Sequence, residues 1–276
     1  MVHPAGPPSE GVTLNTIKMD LNLSGKQVVV TGGSKGIGLA IALRFAREGA
    51  VPVLVSRHGE TLARACAEFS SQGLPTPQLA EVDLSVPGSD RRLFNLFPAA
   101  DILINNAGAI PGGSIHDVTE EAWRASWELK LFGYINLTRL YLGAMEGRGQ
   151  GVICNVIGMA GIAPRYEYIC GSVANGALIA LTNGIGAGSV RRGVRVFGIN
   201  PSPTRSDRIE GVLKQQAASK LGDAARWKEM IQKLPFGRLA EPDEVAGLAV
   251  YCCSSLCGYL SGTVLNVDGG QFYAPN

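Results

Sequence analysis

Val28-Val29-Val30-Thr31-Gly32-Gly33-Ser34-Lys35-Gly36-Ile37-Gly38 joins a β-branched run to a segment with helical patterning. Its reading decides the fold. Glycines at 32, 33, 36 and 38 let the backbone turn tightly and come close to a phosphate, and a helix opening at Gly36 offers free N–H groups and the positive end of its dipole. A glycine-rich turn alone says little. One with a strand before it and a helix after it points to a pyrophosphate cradle.

The surrounding chain keeps the same rhythm. The helical pattern from Gly36 to Glu48 stops at Gly49, a C-terminal glycine stop. Further β-branched runs lie at 53–55, 79–82, 102–105, 152–156, 194–199 and 264–267. Between them come a stripe of Leu62, Ala65, Cys66 and Phe69, a long helical pattern from about Thr119 to Met145, another from Ser172, and one opening at Pro242. Strands separated by helices predict a parallel sheet covered on both faces, a doubly wound α/β domain of seven strands. Residues 1–24, which carry Pro and Gly, read as a flexible arm, and 25–276 as a single domain. The longest insertion, 203–235, is a candidate substrate lid, with Arg205, Asp207 and Arg208 at its start and Trp227 later.

Composition removes whole classes of function. A chain of 276 residues can bury roughly 75% of its unfolded surface and needs no disulfide or metal staple. Charged residues are 17%, well under the usual ~25%, which argues against disorder. Lys and Arg total 25 against 23 acids, with no basic stripe, so no nucleic-acid partner is expected. No apolar run is seen to approach the ~18 residues of a membrane span, and the N-terminus reads as having neither a basic nor an apolar leader region; no membrane partner is expected. The six Cys sit in apolar stretches and read as reduced residues of a cytoplasmic protein. With three His, none beside a Cys pair, no metal site is expected.

The motifs together resemble the short-chain dehydrogenase/reductase family. Thr31-Gly32 through Gly36-Ile37-Gly38 is similar to its T-G-x-x-x-G-I-G loop, and Asn105-Asn106-Ala107-Gly108 to its N-N-A-G. Asp83, followed by Leu84, resembles its adenine-contacting Asp. Pro201-Ser202-Pro203-Thr204 resembles its P-G-x-x segment, with Ser202 replacing Gly. Gly237–Pro242 and Gly262–Gly270 also match, so the likeness spans about 24–270. It implies a Rossmann-type fold binding a nicotinamide dinucleotide through Gly32, Ser34, Lys35, Gly36, Ile37, Gly38, Arg57, Asp83, Leu84, Asn106, Ala107, Gly108, Pro201, Thr204 and Ser206. It also implies a homodimer or homotetramer acting on a small-molecule substrate.

Charge indicates which dinucleotide. An acid after the second strand would hold the ribose hydroxyls of NAD, whereas an Arg accommodates the phosphate of NADP. Here that strand ends Val55-Ser56-Arg57-His58, and Lys35 adds a cation nearby, so NADP(H) is expected. Both cations are otherwise ordinary solvated charges.

The family's chemistry uses Ser, Tyr and Lys, with an Asn on the long helix. In the ungapped frame these slots hold Gly158, Gly171, Asn175 and Lys130, and the separation from 158 to 171 is the family's own. All four have changed. A slipped frame takes Tyr168 as the Tyr but places Ser172 in the Lys slot and Asn155 in the Ser slot; the ungapped frame is preferred. Tyr168 and Tyr166 then lie one turn before the empty slot, either projecting into the pocket or serving as loop aromatics. Lys130 either restores an ammonium near the lost one or is a helix lysine that snorkels to solvent.

Two glycines where a hydroxyl and a phenol should be predict a larger pocket and weak alcohol–ketone interconversion. The expected function is therefore an enzyme of specialised metabolism acting on a bulky, apolar substrate. It would work either by redox-neutral cyclisation or isomerisation, or by hydride transfer to an iminium carbon. A carbonyl reductase using Tyr168 and a non-catalytic NADP-binding sensor are the alternatives.

Overall fold

The computed structural model describes residues 19–273. Seven strands, β1 (Gln27–Thr31), β2 (Val51–Ser56), β3 (Gln78–Glu81), β4 (Ile102–Asn105), β5 (Gly151–Val156), β6 (Val194–Pro201) and β7 (Val264–Val267), form one sheet in the order β3-β2-β1-β4-β5-β6-β7. Every pairing is parallel. The expected doubly wound sheet is present, and the strand ends differ from the sequence reading by a residue or two, the ordinary fraying of boundaries.

The valine run shows why the strands were readable. Val28 and Val30 face one side of the sheet, packed with Ile41 and Phe45 of α1 (Gly36–Arg47) and Val245 of α9 (Pro242–Cys253). Val29 faces the other, packed with Leu137, Tyr141 and Met145 of α5 (Gly133–Arg148). A strand buried on both faces loses the apolar–polar alternation and reads as a continuous apolar run. The remaining helices are α2 (Gly59–Ser71), α3 (Ser89–Leu96), α4 (Glu120–Trp127), α6 (Ile169–Ser189), α7 (Asp207–Leu221) and α8 (Trp227–Ile231). The strand order reverses between β1 and β4, so their C-terminal ends diverge and leave a crevice.

Three expectations need correction. The long helix expected over 119–145 is interrupted: a π-turn over Glu128–Phe132, closed by the Gly133 N–H on the Glu128 carbonyl, separates α4 from α5. Of the expected arm, 1–18 lie outside the described residues, but Leu23 is buried and Asn22 Nδ2 donates to Ser255 Oγ at 2.8 Å, so 19–24 belong to the packed domain. Residues 169–192, with mean hydropathy 1.3, are long and apolar enough for a membrane span by length and composition; glycines and alanines hide this from inspection. In this fold Cys170, Ala174, Leu178 and Thr182, spaced at one-turn intervals, are buried along one face of that helix. All six cysteines are free thiols.

Candidate active site and cofactor cradle

The crevice is laced together by polar groups. Thr31 Oγ1 accepts from the Asn106 and Ala107 N–H groups at 2.8 and 3.0 Å and donates to the Ile104 carbonyl. Asn106 Nδ2 donates to the Thr31 and Gly32 carbonyls at 3.0 and 3.3 Å. Gly32 and Gly36 have φ of +63° and +55°, and a Cβ on Gly38 would strike the Gly32 carbonyl oxygen. Glycine is therefore required at 38 by close approach, not by preference. Lys35 caps α1 with no side-chain bond, and the first turn holds no acid, so its N–H groups are open to an anion.

The other cradle residues divide in two. Ser34 Oγ reaches Ser56 Oγ at 3.2 Å, joining the loop to the end of β2. Arg57 and Lys35 are exposed and make no ion pair among the described residues. Asp83 is held below the usual carboxylate range by hydrogen bonds from the Ser85 hydroxyl and N–H, with a smaller contribution from Arg57; Leu84 beside it is half-buried. Thr204 and Ser206 spend their side chains locally: Thr204 Oγ1 donates to the Ser202 carbonyl and Ser206 Oγ accepts from the Ile209 N–H to cap α7. The loop, the open helix terminus and the two free cations fit the diphosphate and added phosphate of a dinucleotide.

Beside the cradle lies a cavity of about 180 Å³, lined among others by Asn106, Lys130, Gly158, Tyr168, Pro201 and Arg208. A larger one, about 440 Å³, sits next to β7; of its charged lining residues Arg238 and Glu244 are paired with each other at 2.7 Å, and the Asp268 carboxylate accepts from the Gly270 and Phe272 N–H groups.

Lys130, carried on the π-turn, lines the smaller cavity. Its stem passes directly over Gly108, where a Cβ would stand 2.6 Å from Lys130 Cδ. Nζ donates to the Val156 and Ile157 carbonyls, each at 3.1 Å, and to the Tyr134 hydroxyl at 3.4 Å. The residue is 9% exposed and has no acidic partner among the described residues. Burial, aided by the nearby Arg208 charge, lowers its pKa to about 7. The snorkelling alternative is thereby overturned.

The two unusual glycines differ in their surroundings. Gly158 has φ +139°, its N–H donates to Asn200 Oδ1 at 3.2 Å, and a Cβ there would lie 3.0 Å from Asn175 Nδ2. Asn175 Nδ2 points at the Gly158 carbonyl, 3.4 Å away, while its Oδ1 is buried without a partner. At Gly171 the vacancy holds the ring and hydroxyl of Tyr168. The enlarged pocket expected from the two glycines is not formed at Gly171, while Gly158 lines the cavity.

The family model described as enoyl-(acyl carrier protein) reductase matches residues 32–271. The chain belongs to the short-chain dehydrogenase/reductase family. Dehydrogenase/reductase SDR family member 4 of Oryctolagus cuniculus is 32% identical over 256 residues, covering 90% of this chain and 94% of its own. An uncharacterised oxidoreductase of Thermotoga maritima is 30% identical over 256 residues, covering 91% and 99%. Among solved structures, L-sorbose reductase from Gluconobacter frateurii, complexed with NADPH and L-sorbose, matches with a TM-score of 0.84 at 30% identity, over 93% of this chain and all of its own.

As a short-chain dehydrogenase/reductase this chain has an unusual interior. The slipped frame gains nothing from the fold. Asn155 is fully buried, donating to Thr182 Oγ1 at 2.9 Å and accepting from Asn105 Nδ2 at 2.9 Å. Ser172 Oγ donates to the Tyr168 carbonyl and accepts from the Arg165 N–H. Of that frame only Tyr168 reaches the cavity, while Tyr166 is exposed. Burial raises the Tyr168 pKa, and Arg208 opposes it.

Arg208 is the lining residue that motif matching missed. From the first turn of α7 it crosses to the loop after β4, donating through Nη1 to the Gly108 carbonyl at 3.4 Å and through Nη2 to the Ile110 carbonyl. Its only sequence signal was its place at the start of the 203–235 insertion. Arg205 there is committed to Glu241 at 2.9 Å, and Trp227 stacks under Lys214, 5.9 Å from its ring centre.

Proposed function

We propose that this chain binds NADP(H) and reduces a carbonyl group, with Lys130 taking over the charge stabilisation and proton delivery usually divided among Ser, Tyr and Lys. The observation carrying this reading is the Lys130 ammonium. It is buried in the cavity without a counter-ion and anchored on the two carbonyls immediately before Gly158, the slot of the lost Ser. NADP(H) is favoured over NAD(H) by exposed, unpaired Arg57 at the end of β2 and by Lys35 in the loop; the similar L-sorbose reductase was solved with NADPH.

Bound NADPH supplies the hydride. The protein must then place the carbonyl, neutralise charge growing on its oxygen and give that oxygen a proton. Lys130 suits both later tasks. Its third donor, on the Tyr134 hydroxyl, is the longest of its bonds and the easiest to exchange for a substrate oxygen. A pKa of about 7 leaves both of its protonation states populated near neutrality, the condition for efficient proton transfer. Tyr168 is a weaker acid for this job, since burial raises its phenol.

The charge of the cavity also separates the alternatives. An iminium acceptor is cationic, and it would enter a site lined by Lys130 and Arg208 with no carboxylate among the lining residues. A sensor would have no need for a buried ammonium that costs stability. Redox-neutral cyclisation draws no support from a particular residue.

The test is to mix the protein with NADPH and a panel of ketones and aldehydes while following the nicotinamide band and the product. Coupled loss of NADPH and appearance of alcohol supports the reading. Product formed with the nicotinamide untouched contradicts it.

A further inference from the structure

We infer that the substrate carries a carboxylate close to its reacting carbonyl and that Arg208 selects it. This rests on the reductive reading of the same cavity. The guanidinium lines the same cavity as Lys130, next to the cradle residues Ile37, Asn106, Gly108 and Pro201, where a group held beside the dinucleotide would sit. It is fastened by the Gly108 and Ile110 carbonyls. It also interacts with the Tyr168 hydroxyl, which leaves part of its five-donor fork for a ligand, and it forms no ion pair among the described residues. Glu210, two residues along α7, is committed to Lys214 at 2.7 Å.

Lys130 makes the case stronger. Two cations share one cavity wall with no acid among its lining residues, and each charge disfavours the other. Such an arrangement is unfavourable empty and is relieved by an anion. A carboxylate answers it best, because the planar guanidinium matches two carboxylate oxygens, and a fork already held in place loses little freedom on binding. The two cations then divide the work: Arg208 holds the acid group and Lys130 faces the carbonyl oxygen.

The experiment measures NADPH oxidation with pyruvate, acetoacetate and levulinate, each against its methyl ester, in wild type, R208Q and R208K. At least one acid is expected to exceed its ester by about tenfold or more in kcat/KM. In R208Q that ratio collapses towards unity, mainly through KM. R208K, which keeps the charge without the fork, retains part of it. An ester equal to or better than its acid in every pair overturns the inference, as does an R208Q protein that keeps the ratio. If no compound oxidises NADPH, the reductive reading fails separately, and calorimetric titration of the same acids and esters into the NADPH-saturated protein decides the anion question. Acid binding lost in R208Q upholds it; equal binding of acid and ester, or no binding of any acid, refutes it.

Discussion

A Cβ placed on Gly171 would stand 2.6 Å from the hydroxyl oxygen of Tyr168, and nearer still to its ring. The phenol of a neighbour thus fills the space that a side chain at 171 would enter. Its hydroxyl ends where the missing side chain would begin, so it does not stand in for the tip. At Gly158 the Asn175 amide comes within 3.0 Å of where a Cβ would stand, and the glycine lines the cavity.

This packing predicts a reversal of the ordinary glycine rule. Within a helix, Gly→Ala normally stabilises by roughly 0.5–1 kcal/mol. G171A instead meets the Tyr168 ring, which must leave its place beside Ile110, Cys170 and Ala174. G171A should lower the melting temperature in the native background and raise it in Y168A. A double-mutant cycle by denaturant titration should give a coupling of about 1 kcal/mol or more; additivity would show that the ring is elsewhere.

The cradle predicts a steric failure. G38A drives a methyl into the Gly32 carbonyl and the Asn106 amide, groups that cannot move without unlacing β1 from β4. Stability should fall by about 1–3 kcal/mol, and NADPH binding, followed by fluorescence titration, should be lost. By contrast, R57A leaves the fold intact and should reduce the preference for NADPH over NADH by about tenfold, the worth of one charge-assisted hydrogen bond.

Lys130 predicts a pH dependence of stability. Its pKa is about 7 in the folded protein and near the ordinary 10.5 once unfolded. Between those values the unfolded chain binds more protons, so this residue's contribution to stability rises with pH across that window; below about pH 7 its penalty is present in full. K130M should therefore be more stable than wild type in urea at pH 6, with the advantage shrinking towards pH 10. An advantage that does not change with pH would mean the amine is not desolvated.

The fold was legible because its determinants are local. The Gly32–Gly38 loop announces its own geometry, and Val28–Val30 announces a strand covered on both sides. The site was half legible. Spacing alone aligns Gly158, Gly171 and Asn175 with the family's Ser, Tyr and Lys, but the neighbours that pack around them could not be read that way. The π-turn at Glu128–Phe132 has no compositional mark; it is one hydrogen bond displaced by a residue, and Lys130 lies buried within it. Tyr168 folding onto Gly171 is a side-chain choice made by the surrounding packing. Arg208 reaches the loop after β4 across a hundred residues of sequence, a contact that no local pattern encodes.

The most direct measurement is the pH profile of kcat/KM for NADPH-dependent carbonyl reduction in wild type, K130M and Y168F. The account predicts a wild-type limb falling as pH rises through about 7, as Lys130 gives up its proton, a loss of about a hundredfold or more with that limb abolished in K130M, and only a modest loss in Y168F. A K130M enzyme with wild-type turnover and an unchanged limb, beside an inactive Y168F, would contradict it.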